Sequence, residues 1–236
     1  MASVEPRQAV APERREVAAP DLVRVWDVPV RVFHWSLAGL VAVSWVSAEN
    51  GYLKLHLWSG LGLLTLVLFR IAWGLVGSTT ARFSDFVRGP ARALDYLRAL
   101  RRGERQVHAG HNPAGGWMVM ALLAVLLAQA GTGLFANDGV HFNGPLARQV
   151  SSELSDWLTS LHGSVFNVIV LLVWMHVVAV LFYRYVRGEH LVAAMLSGKK
   201  PRRETPADTT LKFAPPRRAL LWLVLAAGLV YWIDRF

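Results

Sequence analysis

The sequence predicts an all-α integral membrane protein, a bundle of four long transmembrane helices with a short fifth helix after it. Three observations predict this. Hydrophobic residues make up 54% of the 236 and charged residues only 17%, with a mean hydropathy of +0.35. That is too little polar surface to clothe a soluble globule of this length. The apolar residues are also gathered into runs near the ~20 that a helix needs to cross a bilayer. Finally, 22 of the 25 Lys and Arg residues fall on one side of the spans that these runs define, and such a bias orients a protein in its membrane.

Taken in order, residues 1–22 are rich in Ala, Pro, Glu and Arg without an apolar block. They are expected to form a disordered tail rather than a secretory signal, which needs a hydrophobic segment. Residues 23–190 are expected to form the main transmembrane domain. Its first span is 32–48 (VFHWSLAGLVAVSWVSA), flanked by Arg31 and Glu49, and the others are 56–76, 117–136 and 161–186. Between the second and third spans, Pro90 starts a segment with Leu94, Leu97 and Leu100 among arginines. That pattern predicts an amphipathic helix on anionic lipid headgroups. Residues 191–218 read as a basic, Pro-containing linker. The last segment, 219–236, carries a 15-residue apolar run at 219–233. It would reach only ~22 Å as a helix, so it is expected to be transmembrane or interfacial, with Trp222, Tyr231 and Trp232 as interfacial anchors.

The net charge of +9 could by itself mean a nucleic-acid partner or a membrane surface. Its placement decides. With the N-terminus cytoplasmic, only Lys54, Arg148 and Arg235 lie on the far side. The basic residues line a membrane face and not a soluble domain, so lipid is the expected partner and nucleic acid is excluded. The chain has no cysteine. That removes disulfides, thiolate zinc sites, iron–sulfur clusters on Cys ligands and covalently attached haem. Eight histidines and five methionines remain as soft ligands.

Four histidines lie in or at the edges of the strong spans: His34, His56, His162 and His176. An ionisable group in a bilayer is costly and marks a functional site, although a histidine can also serve as a hydrogen bond between helices. His162 and His176 are 14 residues apart on one helix, which puts both on one face with ~21 Å between them along the axis. His34 lies at the inner end of the first span and His56 at the outer end of the second. Two level-matched pairs follow, His34 with His176 inside and His56 with His162 outside. Facing imidazoles can supply both axial ligands of a haem iron. A metal-ion transporter also places histidines in helices, but such sites commonly add carboxylates, and the span interiors hold no Asp or Glu. Gly60, Gly62, Gly131, Gly133 and Gly163 would let a flat macrocycle approach the backbone, or would serve ordinary close packing. Arg31 and Arg70 lie near the inner level, where they can pair with propionates or simply mark the positive side.

VRVWDVPVRVFHW, HLWSGLGLLTLVLFRIAWGLVGS, ARFSDFVRGP, GHNPAGGWMV, TGLFAND and DWLTSLHGSVFN occur in this order. They resemble the Ni/Fe-hydrogenase b-type cytochrome subunit and the related bacterial cytochrome b561 proteins over about residues 22–200. The resemblance implies a four-helix core holding two haem b groups, non-covalently and with bis-histidine ligation. It assigns His34, His56, His162 and His176 as the iron ligands. It further implies an electron carrier of the bacterial inner (cytoplasmic) membrane, working between the quinone pool and a c-type cytochrome or hydrogenase. That would be a respiratory-type chain, with quinone as a substrate and a homodimer allowed. The competing expectations are a histidine-based metal-ion transporter and a non-redox membrane anchor. His108 and His111 are expected in a solvated or propionate-contacting loop, and His141 and His190 on the surface. No Walker A, G-x-G-x-x-G or H-E-x-x-H motif occurs.

Overall fold

A computed structural model describes residues 21–140, 142–206 and 210–236; most of the N-terminal tail and His141 therefore lie outside the described residues. The first structured residues, Leu22–Arg24, form a short strand, β1. Asp27 then caps α1 (Val28–Glu49), its carboxylate accepting from the Val30 amide at 2.8 Å, with Pro29 in the first turn. Pro belongs there because that turn has no use for its missing N–H. Gly51, at φ +72°, turns the chain into the antiparallel α2 (Leu53–Val76). A positive φ of this kind is one that glycine adopts without strain.

Two shorter helices follow, α3 (Phe83–Phe86) and α4 (Pro90–Arg101). Helix α4 buries Ala93, Tyr96 and Ala99 towards α5 and leaves Leu94 and Leu97 exposed. Helix α5 (Pro113–Gly133) is capped by Asn112, and the 34-residue α6 (Ser152–Tyr185) by Ser151. Polar caps just outside each apolar block explain why these helices begin before the runs read from hydropathy. Helix α6 adds a further polar stretch, 152–160, ahead of its apolar part. A short α7 (Leu191–Ser197) and strand β2 (Lys199–Pro201) precede α8 (Pro216–Ile233).

Five of these helices, α1, α2, α5, α6 and α8, are long and apolar enough to cross a membrane. In the most apolar window of α6 only 6% is buried within the protein, so most of its apolar side chains face outwards. Such an exterior suits lipid and not water. The chain is an all-α, multi-pass membrane protein.

The described parts of the segment 191–218, residues 191–206 and 210–218, are tied into the fold. β2 pairs antiparallel with β1, Lys200 opposite Val23, and the Gly198 carbonyl accepts from the Val25 and Trp26 amides. Further along, the Ala214 amide donates to Ser78 Oγ at 3.0 Å. These contacts join residues far apart in sequence, and neither strand carries a local pattern that announces its partner. The large aromatic part of the buried core, Trp26, Phe33, Phe69 and Trp73 with Val25, lies at the end of the bundle where α1 begins. There the indole of Trp73 donates to the free Asp27 oxygen at 3.0 Å. Helix α1 packs on α2, α8 packs on α2, and α6 packs on α5. Helix α6 meets α1 through side chains, Phe166 against Trp45 and His176 against His34.

Candidate functional site

The structure brings the four span histidines together as two pairs. The ring centres of His34 and His176 are 6.3 Å apart, and those of His56 and His162 are 5.9 Å apart. Two imidazoles on opposite sides of one metal, each nitrogen about 2.0 Å from it, stand with ring centres about 6 Å apart. A separation of that size would let each pair hold one iron between two imidazole nitrogens.

The outer pair is held by two matched clamps. His56 Nδ1 lies 2.8 Å from the Ser44 carbonyl oxygen, and that oxygen also accepts from the Ser47 hydroxyl at 3.0 Å. His162 Nδ1 lies 2.9 Å from the Gln129 carbonyl oxygen, which accepts from the Thr132 hydroxyl at 3.0 Å. A carbonyl cannot donate, so in both rings Nδ1 carries the proton and Nε2 keeps a lone pair. A metal-binding histidine needs this tautomer, and a carbonyl partner also orients the ring and raises its basicity. In His162 that lone pair receives the Gln129 side-chain amide at 3.0 Å, while Gln129 Oε1 is buried without a partner. The hydroxyl-bearing partners were missed in the sequence. Their signal is two polar residues at i, i+3 in each apolar helix, Ser44 with Ser47 and Gln129 with Thr132.

Between the outer histidines lies a cavity of about 200 Å³, bordered by Ser44, Gln129, Gly163 and Phe166. Its walls are mainly carbon, as a macrocycle requires. The glycines divide by role. A Cβ on Gly133 would come within 2.9 Å of the His162 ring, and one on Gly62 within 3.2 Å of Leu40, whereas one on Gly163 would meet nothing within 4 Å. Gly133 thus lets the His162 ring seat against α5, and Gly163 leaves the cavity open.

The inner pair is held differently. The His34 ring packs edge-on against Trp35 at 4.9 Å, and its Nδ1 is buried without a hydrogen-bond partner. Arg31, one turn earlier, points elsewhere: its guanidinium donates to the Met195 and Leu196 carbonyls at the end of α7. Cations at a helix C-terminus satisfy carbonyls left without partners, so Arg31 braces α7 beside His34. Arg70 is only 2% exposed and faces the Phe83 and Phe86 rings.

In the loop before α5, residues 102–107 are exposed, whereas His108 and His111 are partly buried. His111 sits between Trp26 and Phe86, at ring distances of 4.8 and 4.6 Å. Burial first, and then the charges of Arg70 and Lys200, hold its imidazole down at about 3, so it stands neutral. His108 packs on Tyr96, whose hydroxyl shares a hydrogen with Tyr183 at 2.5 Å. His190 is exposed and meets Arg184. Among the described residues no cluster of three or more His, Asp or Glu could hold a bare metal ion.

A family model described as prokaryotic cytochrome b561 matches residues 25–198. No curated protein matches the chain.

Proposed function

The chain belongs to the prokaryotic cytochrome b561 family, a family of membrane b-type cytochromes in electron transfer, and from that premise we propose a dihaem relay. It would carry single electrons between the quinone pool and a redox partner, a c-type cytochrome or a hydrogenase, in the inner membrane of a bacterium. The observation that carries this reading is the pairing of four histidines at separations of 6.3 and 5.9 Å.

His34 and His176 hold the inner haem b, and His56 and His162 the outer one. When bound there, haem supplies reversible one-electron chemistry at iron. The protein does the rest. The Ser44 and Gln129 carbonyls fix the outer imidazoles in the ligating tautomer. Arg31 keeps α7 against the inner end of α1. The apolar helices exclude water, so the sites reorganise little as charge arrives. The excess of Lys and Arg on one side supports an N-terminus in the cytoplasm and, with α8 spanning, a C-terminus outside.

A reduced-minus-oxidised spectrum and a haem assay on the purified chain test this directly. Two haem b per chain are expected, with His34→Ala keeping only the outer haem and His162→Ala only the inner. A fully haem-supplied sample without a reducible b-type spectrum overturns the reading. Quinol reduction of both haems with no partner present would establish a free-standing oxidoreductase, and its absence would point to a partner-bound subunit. Reporter fusions at the two termini test the orientation.

A further inference from the structure

Arg70 is a buried cation without an anion. Its Nη1 is buried with no hydrogen-bond partner, and among the described residues no carboxylate stands within ion-pair distance of it. Asp27 lies within electrostatic reach, but its two oxygens are turned to the Val30 amide and the Trp73 indole. On the aromatic wall that Arg70 faces, His111 presents a second orphan: its Nδ1 is shut away without a partner. The two share Phe86, the guanidinium carbon at 6.0 Å from the ring centre and the imidazole at 4.6 Å. His111 also packs on Trp26, two residues ahead of α1, and Arg70 lies in the last turns of α2. The orphaned pair therefore sits at the end of the bundle that holds His34, in the first turns of α1.

An unpaired buried guanidinium is costly, and an anion with two oxygens relieves that cost best because the planar fork binds it bidentately. We infer that Arg70 and His111 form a carboxylate site beside the inner histidine pair, and that its occupant is a propionate of the haem held there. This rests on the dihaem reading above. The occupant follows from chemistry: haem b carries carboxylates on one edge, and they would arrive with the ring that His34 and His176 bind. Arg70 supplies the charge and His111 a neutral N–H. Together they fix which edge of the macrocycle turns towards the loop between α2 and α5. Neither residue ligates iron; both are positioning residues.

The test uses the full chain, produced under haem limitation, purified in detergent and loaded with haem b or haem b dimethyl ester. Wild type, Arg70→Gln, Arg70→Lys and His111→Gln are compared by the rate at which apomyoglobin strips the inner haem, the component absent from His34→Ala. Arg70→Gln is expected to release haem b at least tenfold faster than wild type, with Arg70→Lys between them. The inner midpoint potential should fall by on the order of 59 mV, tenfold in a one-electron equilibrium. With the diester, wild type and Arg70→Gln should release at rates within twofold. Should Arg70→Gln fail to fold, His111→Gln carries the same comparison. An equal effect on haem and diester assigns Arg70 to packing alone and overturns the inference, as does no effect on either. A wild type that takes up no haem overturns the dihaem reading as well, whereas two haems with indifferent variants overturn this inference alone.

Discussion

Gly133→Ala isolates the outer site. The added Cβ would stand 2.9 Å from His162 Cε1 and 3.1 Å from Nδ1, where carbon contacts settle at about 3.5–4.0 Å. The ring must therefore retreat by roughly 0.5–1 Å. That takes its Nδ1 from 2.9 Å to beyond hydrogen-bond range of the Gln129 carbonyl, at a cost of about 1 kcal/mol. Losing the partner that orients a metal-bound histidine typically weakens the site by about 10–100-fold. Alanine in a helix is itself favourable by up to about 1 kcal/mol over glycine, so the fold should not suffer. The expected result is a protein that stays folded, keeps the inner haem and holds the outer one about 10–100-fold more weakly. Haem content at limiting haem and a redox titration resolve the two components. Gly228→Ala in α8, where a Cβ meets nothing within 4 Å, should keep both. Two haems in Gly133→Ala with an unaltered outer component, or loss of the inner haem instead, would refute this account of the clamp.

Asp27→Ala removes the cap of α1 and orphans the buried Trp73 indole. Together these should cost about 2–4 kcal/mol, read as a lower thermal midpoint in detergent, and Asn should recover about half; an unchanged midpoint contradicts the assignment. The His108 pKa is lowered first by burial, then by Lys200 and Arg88, against a raising backbone hydrogen bond at Gln106. Its neutral form thus contributes stability that is present above the ordinary value of 6.5 and is lost as pH falls through the folded value. His108→Gln should flatten the fall in thermal midpoint below that pH, and identical slopes would exclude His108 as the cause. The two haems should also differ in potential. Carbonyl-bonded imidazoles are more electron-rich and favour ferric iron, whereas the Arg70 charge favours ferrous iron at the inner site. The midpoint of His162→Ala should therefore lie above that of His34→Ala, and the reverse order would contradict this assignment.

The bundle was legible because bilayer-spanning helices write themselves as blocks: four apolar runs and a charge bias suffice when every backbone group must be satisfied within its own helix. Two features were not legible. The caps Asp27, Asn112 and Ser151 are polar, so a hydropathy reading stops short of them. The β1–β2 pairing links residues 22–24 to 199–201 through backbone groups alone. Lys200 even reads as a solvated cation, yet it is 4% exposed, its ammonium donating to the His108 carbonyl. Only the tertiary fold brings these segments together, and a basic stretch read by composition looks like a loose linker.

The site divides along the same physical line. An imidazole in an apolar span is expensive enough to stand out, and the 14-residue spacing of His162 and His176 with the opposed directions of α1 and α2 was enough to pair all four. Their support was hidden because it is supplied by carbonyls, which every residue has. What singles out Ser44 and Gln129 is the hydroxyl three residues on, Ser47 or Thr132, which donates to the same oxygen. That hydroxyl satisfies a helical carbonyl already drawn towards the histidine, and so makes the two-donor arrangement tolerable in lipid, where a strained backbone group has no water to turn to. The inner pair has no such clamp on His34, and the side chains around it are aromatic or cationic. The chain therefore builds its two levels on different principles, backbone orientation outside and side-chain charge inside. On the dihaem reading, a difference of that kind would let one bundle hold two like cofactors at unlike potentials.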